Sequence, residues 1–216
     1  MAKFGAAQGV GQGRREDIRF LTGKGGFVDD VVPPGALHCH FLRANRAHAR
    51  IVSMDLAAAR ALNGVHLVLA SDDLLALGVT LGMTGERVAT RDGGIGAGPE
   101  RPVLARGAVR FVGEAVALVV ADTLARARDA ADLIGLELDD LPVAMGLVAL
   151  GLAPGGPQVH PEAPGNLAFD YVTGDEAAVA QALAGSAHRV AVEVAHNRII
   201  AASLEPRGAF AEWDGA

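Results

Sequence analysis

Three histidines stand close enough in the sequence to suggest a metal site. His38 and His40 are two residues apart on a predicted strand, so their side chains share one face, and His48 follows shortly after. Histidine nitrogens are common ligands of zinc. The alternative, which we favour, is that the strand histidines simply pack or form hydrogen bonds. We therefore assign no metal ligand in this chain.

A second polar group lies later in the chain, at Glu205-Pro206-Arg207. A proline restrains the residue before it toward extended geometry, so Glu205 and Arg207 can point to the same side. In that arrangement the two side chains would support the groups that line a cofactor pocket. The alternative is an ordinary salt-bridged strand end. We assign no catalytic residue and no direct cofactor ligand, and we keep Glu205 and Arg207 as supporting candidates.

Three further acidic residues, Glu114 and the adjacent pair Asp29 and Asp30, allow both a functional and a structural interpretation. Glu114 follows Gly113 between two apolar stretches, where it could be an active-site acid. A hydrogen-bond acceptor at an edge or domain boundary is the alternative that we favour. Asp29 and Asp30 could bind a cation, but capping of a turn accounts for the pair more simply.

Two glycine-rich stretches suggest phosphate-binding loops. They lie at residues 9–13 and 23–26. Neither matches the dinucleotide-binding or P-loop spacing, and neither follows a convincing strand or opens a helix. A flexible arm and a tight turn are the better interpretations, so a free-standing nucleotide-binding domain is poorly supported.

The composition excludes several classes of protein. The 216 residues carry a formal net charge of −6, which gives no overall attraction to nucleic acid or to an anionic membrane. Cys39 is the single cysteine, which excludes a disulfide framework and an iron–sulfur cluster held by this chain alone. We expect it in the core with Leu37 and Phe41. Neither a signal peptide nor a membrane-length apolar stretch is apparent, which predicts a cytoplasmic protein.

Apolar periodicity predicts an α+β protein. Helices are expected over residues 56–62, 71–77, 123–134 and 175–184, the first three with the N-caps Asp55, Ser71 and either Asp122 or Thr123. Strands are expected over residues 36–43, 50–54, 65–70, 109–112, 115–121, 136–141, 167–172, 188–194, 199–202 and 210–213. Their irregular order favours a mixed sheet over a doubly wound parallel fold. A glycine-rich loop is expected over residues 92–98.

Several short stretches, taken in order, resemble one family. They are RFLTGKGGFVDD at 19–30, GALHCHFLR at 35–43, HARIV at 48–52, VRFVGEAVA at 109–117, LPV at 141–143, VHPEAPGN at 159–166, GD at 174–175 and NRIIAASLEPRG at 197–208. Their order and spacing resemble the molybdopterin-binding large subunit of the xanthine dehydrogenase, aldehyde oxidase and carbon-monoxide dehydrogenase family. The resemblance is to the bacterial members in particular.

The resemblance implies a fold and a division of the chain. Residues 23–143 would form the α/β hammerhead domain of this family, preceded by an N-terminal arm over residues 1–22. Residues 144–166, which are dense in Pro and Gly, would be a linker. Residues 167–216 would begin the molybdopterin-binding domain, which is far longer in family members.

The resemblance also implies a function. The chain would belong to a molybdenum hydroxylase that oxidises a carbon centre with water as oxygen donor. Molybdopterin would be held by the full large subunit, with iron–sulfur clusters and FAD in partner chains or domains. The family's pterin-contacting Gly-rich segments and catalytic Glu have no counterpart here, so we expect the isolated chain to be inactive and to hold no molybdenum. It would brace the molybdenum domain and contact the iron–sulfur partner.

The last residues carry a further expectation. Asp214-Gly215 is a hairpin signal, which suggests that the final strand lacks its partner within these residues. A truncated or split gene product that acts only as a non-catalytic interaction module is therefore the alternative to an enzyme component. Apolar surface is expected to be exposed near residues 199–210.

Overall fold

The computed structural model describes residues 16–79, 82–85, 87–146, 156–194, 200–203, 205 and 207–215. These residues form five α-helices and eight strands, in the order α1 (Asp17–Leu21), β1 (His38–Arg43), β2 (Ala49–Asp55), α2 (Ala57–Ala61), β3 (Val65–Ala70), α3 (Ser71–Ala76), β4 (Gly82–Thr84), β5 (Glu100–Pro102), β6 (Ala108–Val109), β7 (Ala115–Ala121), α4 (Leu124–Asp132), β8 (Gly135–Asp140) and α5 (Glu176–Gly185). The α+β class is confirmed. None of the described helices has the length and apolar character needed to cross a membrane.

The chain divides into two compact units, and the strands all belong to the unit Leu37–Val190. Its first sheet has the order β1-β7-β3, with antiparallel pairing on both edges of β7. The central place of β7 follows from its sequence, AVALVVA, which is apolar on both faces. Ala117, Val119 and Ala121 point to one face and are fully buried.

Helix α4 covers that buried face. The Thr123 hydroxyl accepts the N–H of Arg126 and caps its first turn, as predicted. Ala127, Ala130 and Ala131 form its buried stripe and belong to the same cluster as the buried residues of β7. Because alanine side chains are short, the helix can lie close against the sheet.

A second sheet has the order β6-β2-β8 and is also antiparallel. Ala49 of β2 and Val109 of β6 belong to a smaller cluster that also contains Val116 of β7. Leu42 and Met54 pack against both clusters, so the two sheets share apolar contacts. The core is therefore built mostly from Ala, Val and Leu.

Several details differ from the sequence predictions. Residues 167–172, 188–194, 200–202 and 210–213 form no strand, since a strand needs a partner ladder and no described residue supplies one. Residue 199 lies outside the described residues. The expected strand at 109–112 shortens to β6, because the N–H of Glu114 turns back to the carbonyl of Phe111. All pairings between named strands are antiparallel, whereas a mixed sheet was expected.

Two helix starts also bear on the cap predictions. The Asp55 carboxylate accepts the N–H of Ala57 at the start of α2, as predicted. Ser71 was the wrong cap for α3: the N–H of Ala70 is bound by the carboxylate of Asp73, 2.8 Å away. The helix begins one residue earlier than predicted, with Ala70 as its N-cap, so Ser71 is already helical and does not occupy the capping position.

The other unit comprises Met1–Ala36 and Ala191–Ala216. Its described part contains α1 and a short 3₁₀ turn at Val28–Asp30. The Glu205 carboxylate accepts the N–H of Val28 at 3.1 Å, which ties the two sequence-distant parts of this unit together. Ile200 is 92% exposed and Phe210 is 50% exposed. The prediction of exposed apolar side chains near residues 199–210 is confirmed at these two positions.

Candidate functional site

The loop between Pro157 and Asn166 is held by hydrogen bonds from the side chains of Asn166 and Gln158. The Asn166 Oδ1 accepts the N–H of Val159, and its Nδ2 donates to the carbonyl of Pro157, both at 2.8 Å. Asn166 has a φ of 60°, in the left-handed region that asparagine tolerates better than most residues. The loop therefore holds His160 and Glu162 in a defined position.

His160 and Glu162 line a small cavity in the unit Leu37–Val190. Its volume is about 140 Å³. Part of its apolar wall is contributed by Leu104 and by leucines of α3. Its polar lining consists of Ser71, Glu100, Arg106, Arg110, His160 and Glu162. The cavity thus has a mainly polar lining with one apolar wall, whereas sites for drug-sized ligands are lined mainly by apolar side chains.

Among the polar residues that line this cavity, Ser71, Arg110 and His160 are half-buried and Arg106 is exposed. Arg110 is half-buried, and its Nε is fully buried without a hydrogen-bond partner among the described residues. Burial lowers the pKa of His160, and the positive charge of Arg110 lowers it further. Glu100 and Glu162 are exposed, so solvent screens their charges. The Arg110 Nε lies below the solvent-accessible surface, so Arg110 meets the cavity through its other atoms.

Glu114 does not line this cavity and serves the backbone instead. The residue is 7% exposed, and its carboxylate accepts the N–H of Arg110. Its own carbonyl accepts the N–H of Ala44, and the N–H of Gly113 donates to the carbonyl of Ala44, both at 2.8 Å. Gly113 has a φ of 92°, which a residue with a side chain rarely adopts. This geometry matches the structural interpretation of Glu114.

The three histidines of the suggested metal site are not brought together. His40 lies on β1 opposite Val119, and its pKa is lowered by burial and then by Arg128 of α4. The His48 Nδ1 lies 2.8 Å from the carbonyl oxygen of Pro142. Across the described ranges, no three His, Cys, Asp or Glu side chains form a group that could hold a metal ion.

Cys39 was predicted in the core, and this was wrong. The residue is exposed, although neighbouring atoms cover the sulfur enough to raise the pKa of its thiol. The register of β1 on β7 explains the error. His40 pairs with the fully buried Val119, so the histidine face meets the core, and Cys39 pairs with Val120 on the opposite face.

The remaining candidates are the aspartate pair and the two glycine-rich stretches. The Asp30 carboxylate accepts the N–H of Phe27 at 2.9 Å, which is the turn capping expected of the aspartate pair. Gly23 follows α1 with a φ of 69° and its N–H bonds the carbonyl of Phe20, so this glycine ends a helix instead of opening one. The glycines at residues 9–13 lie outside the described residues.

Glu205 and Arg207 do not meet each other. Both are exposed, and the Glu205 carboxylate binds the backbone of Val28. A Cβ on nearby Gly208 would come within 2.7 Å of the Val28 Cγ1, so that close approach serves the chain's own packing. The described residues around Glu205 therefore form no cradle for a pterin. The supporting role of Glu205 and Arg207 stays a prediction.

Sequence reasoning missed the residues of the cavity. Arg110 and His160 were noticed only as members of longer motifs, and neither has a partner at a spacing typical of a site. Their sequence separation is 50 residues, so only the fold brings them to one cavity. The Pro- and Gly-rich composition around His160 was the one available signal, and it predicted a linker.

Comparison with known proteins gives a consistent result. Residues 22–142 match the family model described as aldehyde oxidase and xanthine dehydrogenase, a/b hammerhead domain. The large subunit of nicotine 6-hydroxylase from Paenarthrobacter nicotinovorans is 37% identical, over 93% of this chain and 24% of that subunit. The carbon monoxide dehydrogenase large chain of Hydrogenophaga pseudoflava is 33% identical, over 93% of this chain and 25% of that chain.

A solved structure supports the same assignment. Quinoline 2-oxidoreductase from Pseudomonas putida 86 superposes with a TM-score of 0.57 at 43% identity, and the match covers 66% of this chain and 18% of that one. The chain spans about a quarter of the length of the curated relatives it matches. The family model covers more than half of the chain. The chain therefore belongs to the aldehyde oxidase and xanthine dehydrogenase family and carries its α/β hammerhead domain.

Proposed function

We propose that this chain is the N-terminal scaffold portion of the large subunit of a molybdenum hydroxylase. In the proposed reaction a substrate carbon gains an oxygen atom from water and gives up two electrons. Molybdopterin would be held by the full large subunit, and iron–sulfur clusters and FAD by partner chains or domains. Within that assembly these residues brace the molybdenum domain and contact the iron–sulfur partner.

One observation carries the proposal. Two large subunits match along 93% of this chain, well beyond the hammerhead region at residues 22–142. The likeness therefore extends into the residues that we propose begin the molybdopterin-binding domain, 167–216. The proposed division also keeps residues 1–22 as an arm, 23–143 as the hammerhead domain and 144–166 as a linker.

The described residues support a scaffold role. Their buried polar residues, His48 and Glu114, both bond to backbone groups. The single cysteine has a raised pKa, which disfavours the thiolate that a nucleophile or metal ligand requires. The chemistry of the proposed enzyme would then depend on groups outside these residues.

The test is to purify the protein that carries this sequence from its own cells by an affinity tag and to measure molybdenum, iron and flavin. The proposal expects about one molybdenum per large subunit, together with iron and FAD, and incorporation of ¹⁸O from labelled water into an oxidised product. Aldehydes, N-heteroaromatic compounds and carbon monoxide form the substrate panel.

A second preparation separates the scaffold from the catalytic role. The 216-residue chain expressed alone is expected to contain no molybdenum. Stoichiometric molybdenum in the isolated chain would overturn the scaffold proposal. A native complex without molybdenum would overturn the hydroxylase proposal and leave the interaction module as the function.

A further inference from the structure

We propose that the cavity lined by Arg106, Arg110 and His160 binds a small oxyanion of the carboxylate or phosphate class. The inference is independent of the proposed enzyme activity, because it concerns residues of this chain alone. Two sources share this chemistry: a free anion, and an acidic side chain of protein that adjoins the cavity.

The guanidinium of Arg110 is weakly bonded within the protein. The Arg110 Nε is buried and has no acceptor among the described residues, although its backbone N–H is bound by Glu114. Its Nη1 approaches the carbonyl of Ala108 only at 3.4 Å, a long contact. The Nε is closed to solvent and cannot meet a ligand in the open cavity, so a ligand would be bound by the terminal nitrogens of the guanidinium. Arginine presents its N–H groups in a fork that matches carboxylate and phosphate oxygens.

Within the described residues, the two arginines of the cavity form no ion pair with its carboxylates. Exposed arginines in the same unit are paired with carboxylates, as for Arg46 with Asp140 and Arg60 with Asp73. Within the described ranges, Arg106 and Arg110 form no ion pair, although Glu100 and Glu162 line the same cavity. Both carboxylates are exposed and more than 4 Å from these guanidinium groups, since no salt bridge joins them. Their positive charges are therefore not neutralised by an ion pair within the described residues.

The volume of the cavity restricts the size of its ligand. A volume of about 140 Å³ is well below the roughly 300–1,000 Å³ of sites that take drug-sized ligands. This volume suits a phosphate or a carboxylate group better than a nucleotide. The apolar wall around Leu104 excludes part of the solvent, which strengthens a charge-assisted hydrogen bond inside.

His160 provides a reporter and a third donor. Burial and then the charges of Arg110 and His48 disfavour its protonated form and lower its pKa, whereas the Glu162 carboxylate favours that form. A bound anion would offset the positive charges. His160 would then take up a proton more readily and donate a hydrogen bond to the anion.

The experiment uses the ¹⁵N-labelled 216-residue chain and follows the Arg110 Nε–H and His160 ring signals by NMR. Sodium phosphate and sodium acetate are titrated separately, with ionic strength held constant by sodium chloride. Saturable shifts of both signals are expected with at least one of the two anions. Saturation by phosphate alone identifies the phosphate class, and saturation by acetate identifies the carboxylate class, which an adjoining acidic side chain could also supply.

Variants make the result specific. Arg110→Met is expected to weaken binding at least tenfold, and Arg106→Gln, a change at an exposed residue, several-fold. Arg128→Met on exposed α4 is the matched control and should bind like the unchanged chain. If Arg110→Met does not fold, Arg106→Gln and Arg110→Lys decide the matter. Absence of saturation with either anion, or equal affinity in the Arg106 and Arg128 variants, would overturn the proposal.

Discussion

Strand β7 and residues 188–194 have similar sequences and opposite outcomes. β7 is AVALVVA and the second segment is HRVAVEV, both rich in β-branched residues. Val119 in β7 is 0% exposed, whereas Val192 is 77% exposed. β7 pairs with β1 on one edge and β3 on the other, while residues 188–194 pair with no strand in the part of the chain that the structure describes. A strand-like sequence forms a strand only where partners meet it.

The relative size of two energies explains this difference. The intrinsic preference of residues for strands spans only about 1 kcal/mol, whereas full burial of a valine side chain stabilises by roughly 1.5–3 kcal/mol. Packing of α4 on β7 supplies that burial at several positions. Residues 188–194 have the intrinsic preference for a strand, but their valine side chains are not buried. Four predictions test this comparison.

Introducing a charge should separate the two segments most clearly. Val119→Asp places an unpaired carboxylate in the cluster under α4, and we expect the free energy of unfolding to fall by about 3–5 kcal/mol, or folding to fail. The matched Val192→Asp should change it by less than about 0.5 kcal/mol. Thermal unfolding followed by circular dichroism measures both. Equal losses would show that residues 188–194 are packed as tightly as β7.

Glu114 tests whether buried polar groups hold the first region together. Glu114→Ala removes the acceptor of the Arg110 N–H from a buried turn. We expect a loss of about 1–3 kcal/mol in urea unfolding. Glu193→Ala, at an exposed residue of the second segment, is the control and should be close to neutral. If Glu114→Ala leaves the free energy of unfolding unchanged, the Glu114 carboxylate does not stabilise this turn.

The half-buried histidines should make stability depend on pH. The pKa values of His40 and His160 are lowered, chiefly by burial. Their contribution to stability is therefore present above the unfolded value of about 6.5 and is lost as the pH falls through the lower folded value. We expect His160→Gln to reduce the loss of stability between about pH 7 and 5. His188→Gln, in the exposed segment, should leave the profile unchanged, and an unchanged profile for His160→Gln would contradict the burial argument.

The smallest effect is expected at the surface end of β7. Asp122 receives hydrogen bonds from His66 (2.6 Å) and Arg126 (2.8 Å), and the bond from His66 lowers its pKa most. Its contribution is present above the unfolded value of about 3.9 and is lost as the pH falls through the folded value. Asp122→Asn should destabilise slightly, and less in high salt, because the group is exposed.

The control for that variant is Asp129→Asn, at an exposed residue of α4 that forms no ion pair among the described residues. Chemical denaturation at low and high ionic strength compares the two. A salt-independent loss at Asp122, or a loss as large as that of Glu114→Ala, would mean that the network is more than a surface contact.

The apolar pattern predicted a strand well where both of its faces are apolar, as in β7. It predicted a helix well where one complete stripe is apolar, as in α4. Helix α4 has its alanines three and four residues apart and a threonine at its start, and these two local signals were sufficient. Strand β7 was likewise found from its continuous apolar run. The unpaired segments after residue 166 were overpredicted, because alternation records the ability to form a strand and not the presence of a neighbour.

The site shows the same limit. Alternation along β1 establishes that Cys39 and His40 point to opposite faces, but it does not say which face meets a helix. The register opposite Val119 decided that. Arg110 and His160 had no mutual signal in the sequence, and the Asn166 bonds that hold the loop of His160 depend on the fold.

By itself the sequence determined the family, the α+β class and the main helix and core strand, since each depends on residues that are near in the chain or on motifs in a set order. Only the tertiary structure decided which strand face is buried, which apolar segments pair and which distant charges share a cavity. Those outcomes depend on contacts between residues far apart in the chain, and local preferences of about 1 kcal/mol are too weak to specify them.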